Sequence, residues 1–327
     1  RVGGQAAGVI HVEAVAGAVP ADTPIQDDLR ILLTSETSWA LIRRGVTDLR
    51  REPRNQGERI SQALLGEVAR IIPLDRAPEE WAWIRLENDG YMGWAHRQAL
   101  HVCSPNEAAA YRSSCNAVVV AEQAIVHGTI PGTSLPAYSS LPGKQSGRLP
   151  FGTRIAVISV RGAWMEVRLP DGNTAWLQRG DVIFDDQRPH SDAAGIQAAL
   201  ALIRRFAGIP YLWGGRTPFG FDCSGLAQAL YAFLGIQIPR DADQQFRSGQ
   251  PVSGTPEPGD LLFFGSREAH TNQRYASVTH VAVSLGDWKI IHANGTAWGV
   301  AFDDLSDETI SYSTWLREHH LGTCRFR

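Results

Sequence analysis

The stretch FDCSGLAQALYAF, Phe221 to Phe233, places one of only four cysteines between an aspartate and a Ser-Gly pair, where a helical pattern begins. Leu226, Ala229, Leu230 and Phe233 follow at helix spacing, and Gly235 stops the run. Cys223 falls in the first turn, off the apolar stripe. Free N–H groups and the helix dipole favour negative charge there, which predicts a lowered thiol pKa and a nucleophile. The competing interpretation is a packed thiol, the usual fate of a single cysteine on an apolar helix.

Working outward, an upstream helix is predicted from Ile196, Ala199, Leu200, Ile203 and Phe206, entered at Ser191-Asp192 and ended by Gly208 and Pro210. Between the two helices lies the Gly-rich YLWGGRTPFGFDCSG. Downstream, strands are predicted at Gly259–Gly265, Thr279–Asp287 and Trp288–Gly295, the last two joined in a hairpin at Gly286-Asp287. Helices followed by an antiparallel sheet give α+β order. His280 opens one strand of that hairpin and His292 lies on the other. Paired strands run about 5 Å apart, so the two imidazoles can hydrogen-bond. This gives the series Cys223, His280 as base, His292 as orienting group. The same three side chains could bind a metal, but no further ligand is placed to complete a set; no metal and no cofactor are expected.

The N-terminal half repeats itself. LLGEVARIIPL and EEWAWIRLENDGYMGWAHRQAL (within Leu64–Leu100) resemble PFGTRIAVISVRGAWMEVRLPDGNTAWLQRGDV (Pro150–Val182). Each has a tryptophan four residues before Arg-Leu (Trp81, Trp164), a polar turn (ENDG, PDGN) and a second tryptophan (Trp94, Trp176). This predicts two small SH3-like barrels with tryptophans in their centres. The expected division is a lead-in over 1–33, barrels over 34–103 and 116–184, a linker around FDDQRPHSDAAG (Phe184–Gly195), and a C-terminal domain over 192–327. Cys103 and Cys115 lie close enough in sequence for either a bridge or free thiols.

Composition sets outer bounds. The chain has 327 residues, with 43% hydrophobic and 20% charged. Lys+Arg 31 against Asp+Glu 34 leaves a net charge of −3, which argues against nucleic acid as partner. No apolar run is long enough for a membrane-spanning helix. AAGVIHVEAVAGAVPA (Ala6–Ala21) lacks the basic-then-apolar order of a signal peptide. Compartment stays open between cytoplasm and cell envelope.

YLWGG, FDCSG, PRDADQQ (Pro239–Gln245), PGDLLFF (Pro258–Phe264), HVAVSLGD and IIHANG stand in the order and at about the spacing of the NlpC/P60 cysteine peptidases. The resemblance covers about the last 130 residues. It implies a papain-like catalytic domain behind two SH3-like barrels, and cleavage of peptide bonds in murein peptides. It assigns Cys223 as nucleophile, His280 as base, His292 as third polar residue, and Tyr211 as donor to the developing oxyanion. The barrel arrangement is similar to a narrower group, the γ-D-glutamyl-L-diamino acid endopeptidases, where the first barrel restricts the cleft to peptides with a free N-terminal L-Ala. That implies a monomer acting on a murein tripeptide or tetrapeptide. Asp241 is then an anion for the substrate amine, or only a helix cap. Tyr91 and Glu58 are the first-barrel contacts, with Glu67 as rival to Glu58. Ser224 and Asp222 flank the substrate, and Trp213 and Arg216 line the cleft; Arg216 or Arg240 would meet a substrate carboxylate. The alternatives are an exported hydrolase of intact wall, or a wall-binding protein whose C-terminal domain is a scaffold.

Overall fold

The computed structural model describes residues 5–6, 30–31, 38–130, 147–266, 277–306 and 311–327. Most of the lead-in expected over 1–33 lies outside them. Gln5–Ala6 and Arg30–Ile31 pair in parallel.

Between Ser38 and Cys103 seven strands form one antiparallel sheet. Its order is Arg59–Leu64, Val46–Arg50, Met92–His96, Trp81–Leu86, Val68–Ile72, Ser38–Ile42, Leu100–Cys103. The core it wraps is aliphatic: Ile42, Leu49, Ile71, Ile84 and Leu86 among small alanines. The tryptophans are not in that centre, and strand parity is the reason. In Trp81–Leu86 the inward residues are Ala82, Ile84 and Leu86, so Trp81 and Trp83 take the other face. Trp94 sits there too, edge-on to Trp83 with centroids 5.4 Å apart. The ENDG turn does join two paired strands, with Gly90 at φ 73°.

A second β unit spans Ala117–Phe184. Its five-stranded sheet runs Thr174–Gln178, Trp164–Arg168, Arg154–Arg161, Ala117–Val119, Val182–Phe184, and Gln123–Ile125 pairs separately with Arg148–Pro150. Met165, Val167, Ala175 and Leu177 fill its core, and the same parity turns Trp164 and Trp176 outward.

The helix Pro105–Ser114, which the sequence reading lacks, joins the two units. Its signals are a Ser104/Glu107 capping box and Pro105 at the first position. Tyr111 from this helix packs on Gly66 of the first unit and donates to the Arg168 carbonyl of the second, 3.4 Å away. Cys103 and Cys115 bracket it as free thiols.

The C-terminal part has mixed helix and strand content. Helices Ala193–Ile203 and Cys223–Phe233 are capped by Asp192 and Asp222. They pack on one face of a six-stranded antiparallel sheet ordered Gln250–Val252, His320–Arg325, Leu261–Ser266, Ser277–Gly286, Lys289–Asn294, Gly299–Asp304. The helix Ser311–Glu318 contributes Leu316 and Tyr312 to the opposite face. The hairpin turn is one residue later than the sequence suggests. Asp287 and Trp288 both have positive φ (52° and 64°), as a type I′ turn demands, despite the missing glycine.

The three parts are packed together. Phe151 of the second β unit is buried among Phe206, Phe221 and Phe233 of the C-terminal core, 5.1 Å from Phe206 and 5.2 Å from Phe233. The linker is pinned as well: Arg188 donates to the carbonyls of Ala232 and Phe233 at the end of the Cys223 helix.

Candidate active site

Cys223 is the first residue of its helix because Asp222 ends the preceding extended chain. Its Oδ1 accepts from the Gly225 N–H at 2.7 Å, a side-chain cap. The half-buried sulfur lies near the backbone N–H groups of Ser224 and of Val281, the residue after His280, and both lower its pKa. His280 and His292 meet as their strands predict, with Nε2 of His280 2.8 Å from Nδ1 of His292. Beyond them stands a group the sequence reading missed. Asp303 Oδ2, from the neighbouring strand, lies 2.7 Å from His292 Nε2.

The Tyr211 hydroxyl is close enough to Cys223 for the thiolate's charge to raise its pKa, behind the larger effect of burial. The phenol therefore stays protonated and able to donate. Tyr312 occupies the other side, its ring 6.1 Å from that of His292.

Burial works against the acidified thiol expected from the helix start. Burial pushes Cys223 up to about 12, and the Asp222 charge adds to it; the Val281 and Ser224 N–H groups oppose this without winning. Burial, then His292, lowers His280 well below its ordinary value. Desolvation thus disfavours charge on the thiol and on the imidazole alike. Iodoacetamide alkylation of Cys223 in the free protein should accordingly be slow at pH 6 and climb steadily through pH 8–10, read by peptide mapping. A rate already flat between pH 5 and 7 would show a preformed thiolate and contradict this.

The first β unit reaches this centre. Its strand Arg59–Leu64 lies along the loop leading to Cys223. Gln62 accepts from the Arg216 N–H at 3.1 Å, and its carbonyl accepts from the Arg216 guanidinium at 2.9 Å. Glu67 is buried and binds the same guanidinium at 3.2 and 3.3 Å. Asp89 accepts from Gln228 of the Cys223 helix at 2.9 Å. Arg216 and Glu67 are thus committed to one another at the interface. Glu67 meets a protein guanidinium, whereas Glu58 stands at the rim.

Arg240 is likewise no surface arginine. It is 1% exposed, and its guanidinium donates to both Asp222 oxygens (3.1 and 2.6 Å), to Ser224 Oγ (2.8 Å) and to Ser61 Oγ of the first unit (3.0 Å). This cluster relocates two of the expected substrate contacts. Asp222 spends Oδ1 on Gly225 and Arg240, and Oδ2 on the Gly214 N–H and Arg240. Ser224 is buried, holding Arg240. Both shape the site from behind.

The others remain at its edge. Asp241 occupies the cap position of the helix Ala242–Ser248 but makes no side-chain cap bond. Its carboxylate instead lies near Tyr91 of the first unit, close enough for each group to influence the pKa of the other. Burial raises the Asp241 pKa, against the pull of Arg240 and of Tyr91. Glu58 accepts from the Trp213 indole N–H at 2.9 Å and is ion-paired with Arg51. It is 39% exposed, at the rim, and Trp213 is 59% exposed.

Comparison with known proteins agrees with this geometry. Residues 208–318 match the model of the NlpC/P60 family, and residues 49–100 match that of the bacterial dipeptidyl-peptidase SH3 domain. The chain is 29% identical over 243 residues to a γ-D-glutamyl-L-lysine dipeptidyl-peptidase of Bacillus cereus, covering 71% of this chain and 66% of the relative. It is 30% identical over 166 residues to a Bacillus subtilis protein of the same name, covering 50% and 53%. A crystal structure of an NlpC/P60 family protein from Bacillus cereus shares the fold, with a TM-score of 0.70 at 24% identity, covering 88% of this chain and 99% of that one.

Proposed function

We propose, from the match of residues 208–318 to the NlpC/P60 family and of residues 49–100 to a bacterial SH3 domain, that the chain is a cysteine peptidase hydrolysing the γ-D-glutamyl to L-diamino acid bond of small murein peptides with a free N-terminal L-Ala. The second β unit, on this reading, is a further SH3-like module that braces the catalytic domain through Phe151.

The observation that carries the substrate reading is the approach of Tyr91 of the first unit to Asp241 of the catalytic domain. Asp241 is desolvated and does not cap its own helix, so its charge is available to a ligand. A half-buried carboxylate with a raised pKa is stabilised by an incoming cation. A free α-ammonium supplies that cation; a stem peptide still joined to glycan has an uncharged amide there. On this reading the first unit, tied to the loop and the catalytic domain through Arg216 and Arg240, restricts the site to short peptide termini. Glu58 and Trp213 form the rim beside it.

The chemistry follows from the hydrogen-bond chain. The Cys223 thiol gives its proton to His280 as the sulfur attacks the γ-glutamyl carbonyl. The oxyanion is met by the Tyr211 hydroxyl and by N–H groups at the start of the Cys223 helix. His280 then protonates the leaving amine of the diamino acid. Water, deprotonated by His280, releases L-Ala-γ-D-Glu from the thioester. Because desolvation disfavours charge on both groups, proton transfer accompanies attack instead of preceding it.

Mass spectrometry of the products from L-Ala-γ-D-Glu-L-Lys and its diaminopimelate counterpart tests this assignment. Free diamino acid plus L-Ala-γ-D-Glu is the expected outcome. Release of another fragment, or cleavage of intact crosslinked wall with the free peptides untouched, would overturn it. Asp241→Asn should raise KM for the free peptide by about 10–100-fold, the range for losing a charged hydrogen bond. The native KM should itself rise above about pH 8, where the substrate amine loses its proton. An unchanged KM in the variant would remove Asp241 from amine binding.

A further inference from the structure

We propose that Asp303 is a positioning residue for the Cys223 centre: its carboxylate sets the tautomer of His292 and, through it, the nitrogen that His280 presents to the thiol. The kinetic part of this inference rests on the peptidase reading; the tautomer part does not.

His292 is fully buried and Asp303 nearly so, with side-chain exposures of 0% and 14%. Strand register makes the contact. His292 pairs with Ala301, and Asp303 stands two residues on, on the same sheet face. Two groups compete for the one ring nitrogen. Asp303 Oδ2 and Asn294 Nδ2 each lie 2.7 Å from His292 Nε2. The Asn294 amide is oriented, because its Oδ1 accepts from the Ala297 N–H at 2.6 Å. Its Nδ2 therefore faces the ring as a donor and would suit a bare Nε2. Asp303 can only accept while ionised, and requires Nε2–H. The charged acceptor makes the stronger bond.

With the proton on His292 Nε2, Nδ1 carries a lone pair and accepts from His280 Nε2–H across 2.8 Å. His280 is then left with a bare Nδ1, the form a general base needs. If Asn294 prevailed, each proton would shift by one ring. His292 Nδ1–H would donate to His280 Nε2, and His280 Nδ1 would carry hydrogen and be unable to accept one. Asp303 also places a negative charge behind the imidazolium that forms during attack, which a neutral histidine alone does not supply. The titratable groups around the pair are Cys223 from its helix, Asp303 from the neighbouring strand and Tyr312 from the helix Ser311–Glu318.

The test uses full-length protein. Long-range proton–nitrogen NMR of the Cys223→Ala protein reads which His292 nitrogen is protonated. The proton should sit on Nε2, move to Nδ1 on adding Asp303→Ala, and return to Nε2 in Asp303→Ala/Asn294→Asp, where the carboxylate comes from the competing position. With Cys223 intact, Asp303→Ala should lower kcat by about 100-fold, the lower range of a positioned acid–base group, with KM within about 3-fold. Its residual rate should keep rising above pH 9, where the thiol ionises without a base. Asn294→Asp should restore most of the loss. Asp303→Asn keeps the shape and one acceptor, so it should fold, hold the Nε2 tautomer and lose about 10-fold in kcat. An unchanged His292 tautomer in Asp303→Ala, or no recovery in the double variant, would overturn the inference. Tautomers that follow Asp303 in a protein that cleaves no murein peptide would uphold the positioning role and sink the peptidase reading.

Discussion

Replacing Cys223 by alanine should cut release of L-Ala-γ-D-Glu from the free tripeptide by about 10⁴-fold or more, as removing a nucleophile that acts in concert with its base does. The fold should be unaffected or slightly stabilised. The sulfur is half-buried, and Asp222 rather than Cys223 supplies the cap on Gly225. Tripeptide binding, measured by calorimetry, should survive, because amine recognition is assigned to Tyr91 and Asp241. Turnover persisting in Cys223→Ala would mean that another group performs the attack.

The second large effect concerns Arg240. Arg240→Met should destabilise the protein by about 3–5 kcal/mol, the cost of leaving one member of a buried pair uncompensated. Asp222 is 7% exposed and would face the methionine with the Gly214 and Gly225 N–H groups and the more distant Ser224 hydroxyl left to hold it. Three connections would fail together: the brace on the Cys223 helix cap, the Ser224 contact, and the bond to Ser61 of the first unit. Adding Asp222→Asn should recover part of the loss by removing the orphaned charge. Urea denaturation of the three proteins is the measurement. A change under about 1 kcal/mol in Arg240→Met would show that the cluster is not what holds the first unit to the catalytic domain.

What the sequence discloses and what it hides separate on physical lines. The nucleophile's position was legible because it is local: an aspartate cap, a small pair and an apolar stripe define a helix start within a dozen residues. The His280–His292 contact was legible because a hairpin fixes its own register. Asp303 was not, since its approach depends on the turn over 295–298 that sets the third strand. The roles of Arg216 and Arg240 were hidden for a different reason. Their partners, Glu67, Gln62 and Ser61, belong to another unit some 150 residues away or more, and only docking brings them together. Desolvation of the thiol has the same origin. The dipole argument from the helix start concerned one element, whereas burial is set by everything packed around it. The tryptophans were misplaced through neglect of parity; counting alternate residues along WAWIRL separates Trp81 and Trp83 from the inward Ala82, Ile84 and Leu86.

Under the proposed function, Tyr91 of the first unit and Asp241 of the catalytic domain together read a free amine beside Cys223. The most direct measurement is the ratio of kcat/KM for L-Ala-γ-D-Glu-L-Lys to that for the same peptide with its amine acetylated. Loss of the charged contact predicts a ratio of at least about 100. Equal rates on both peptides would contradict it.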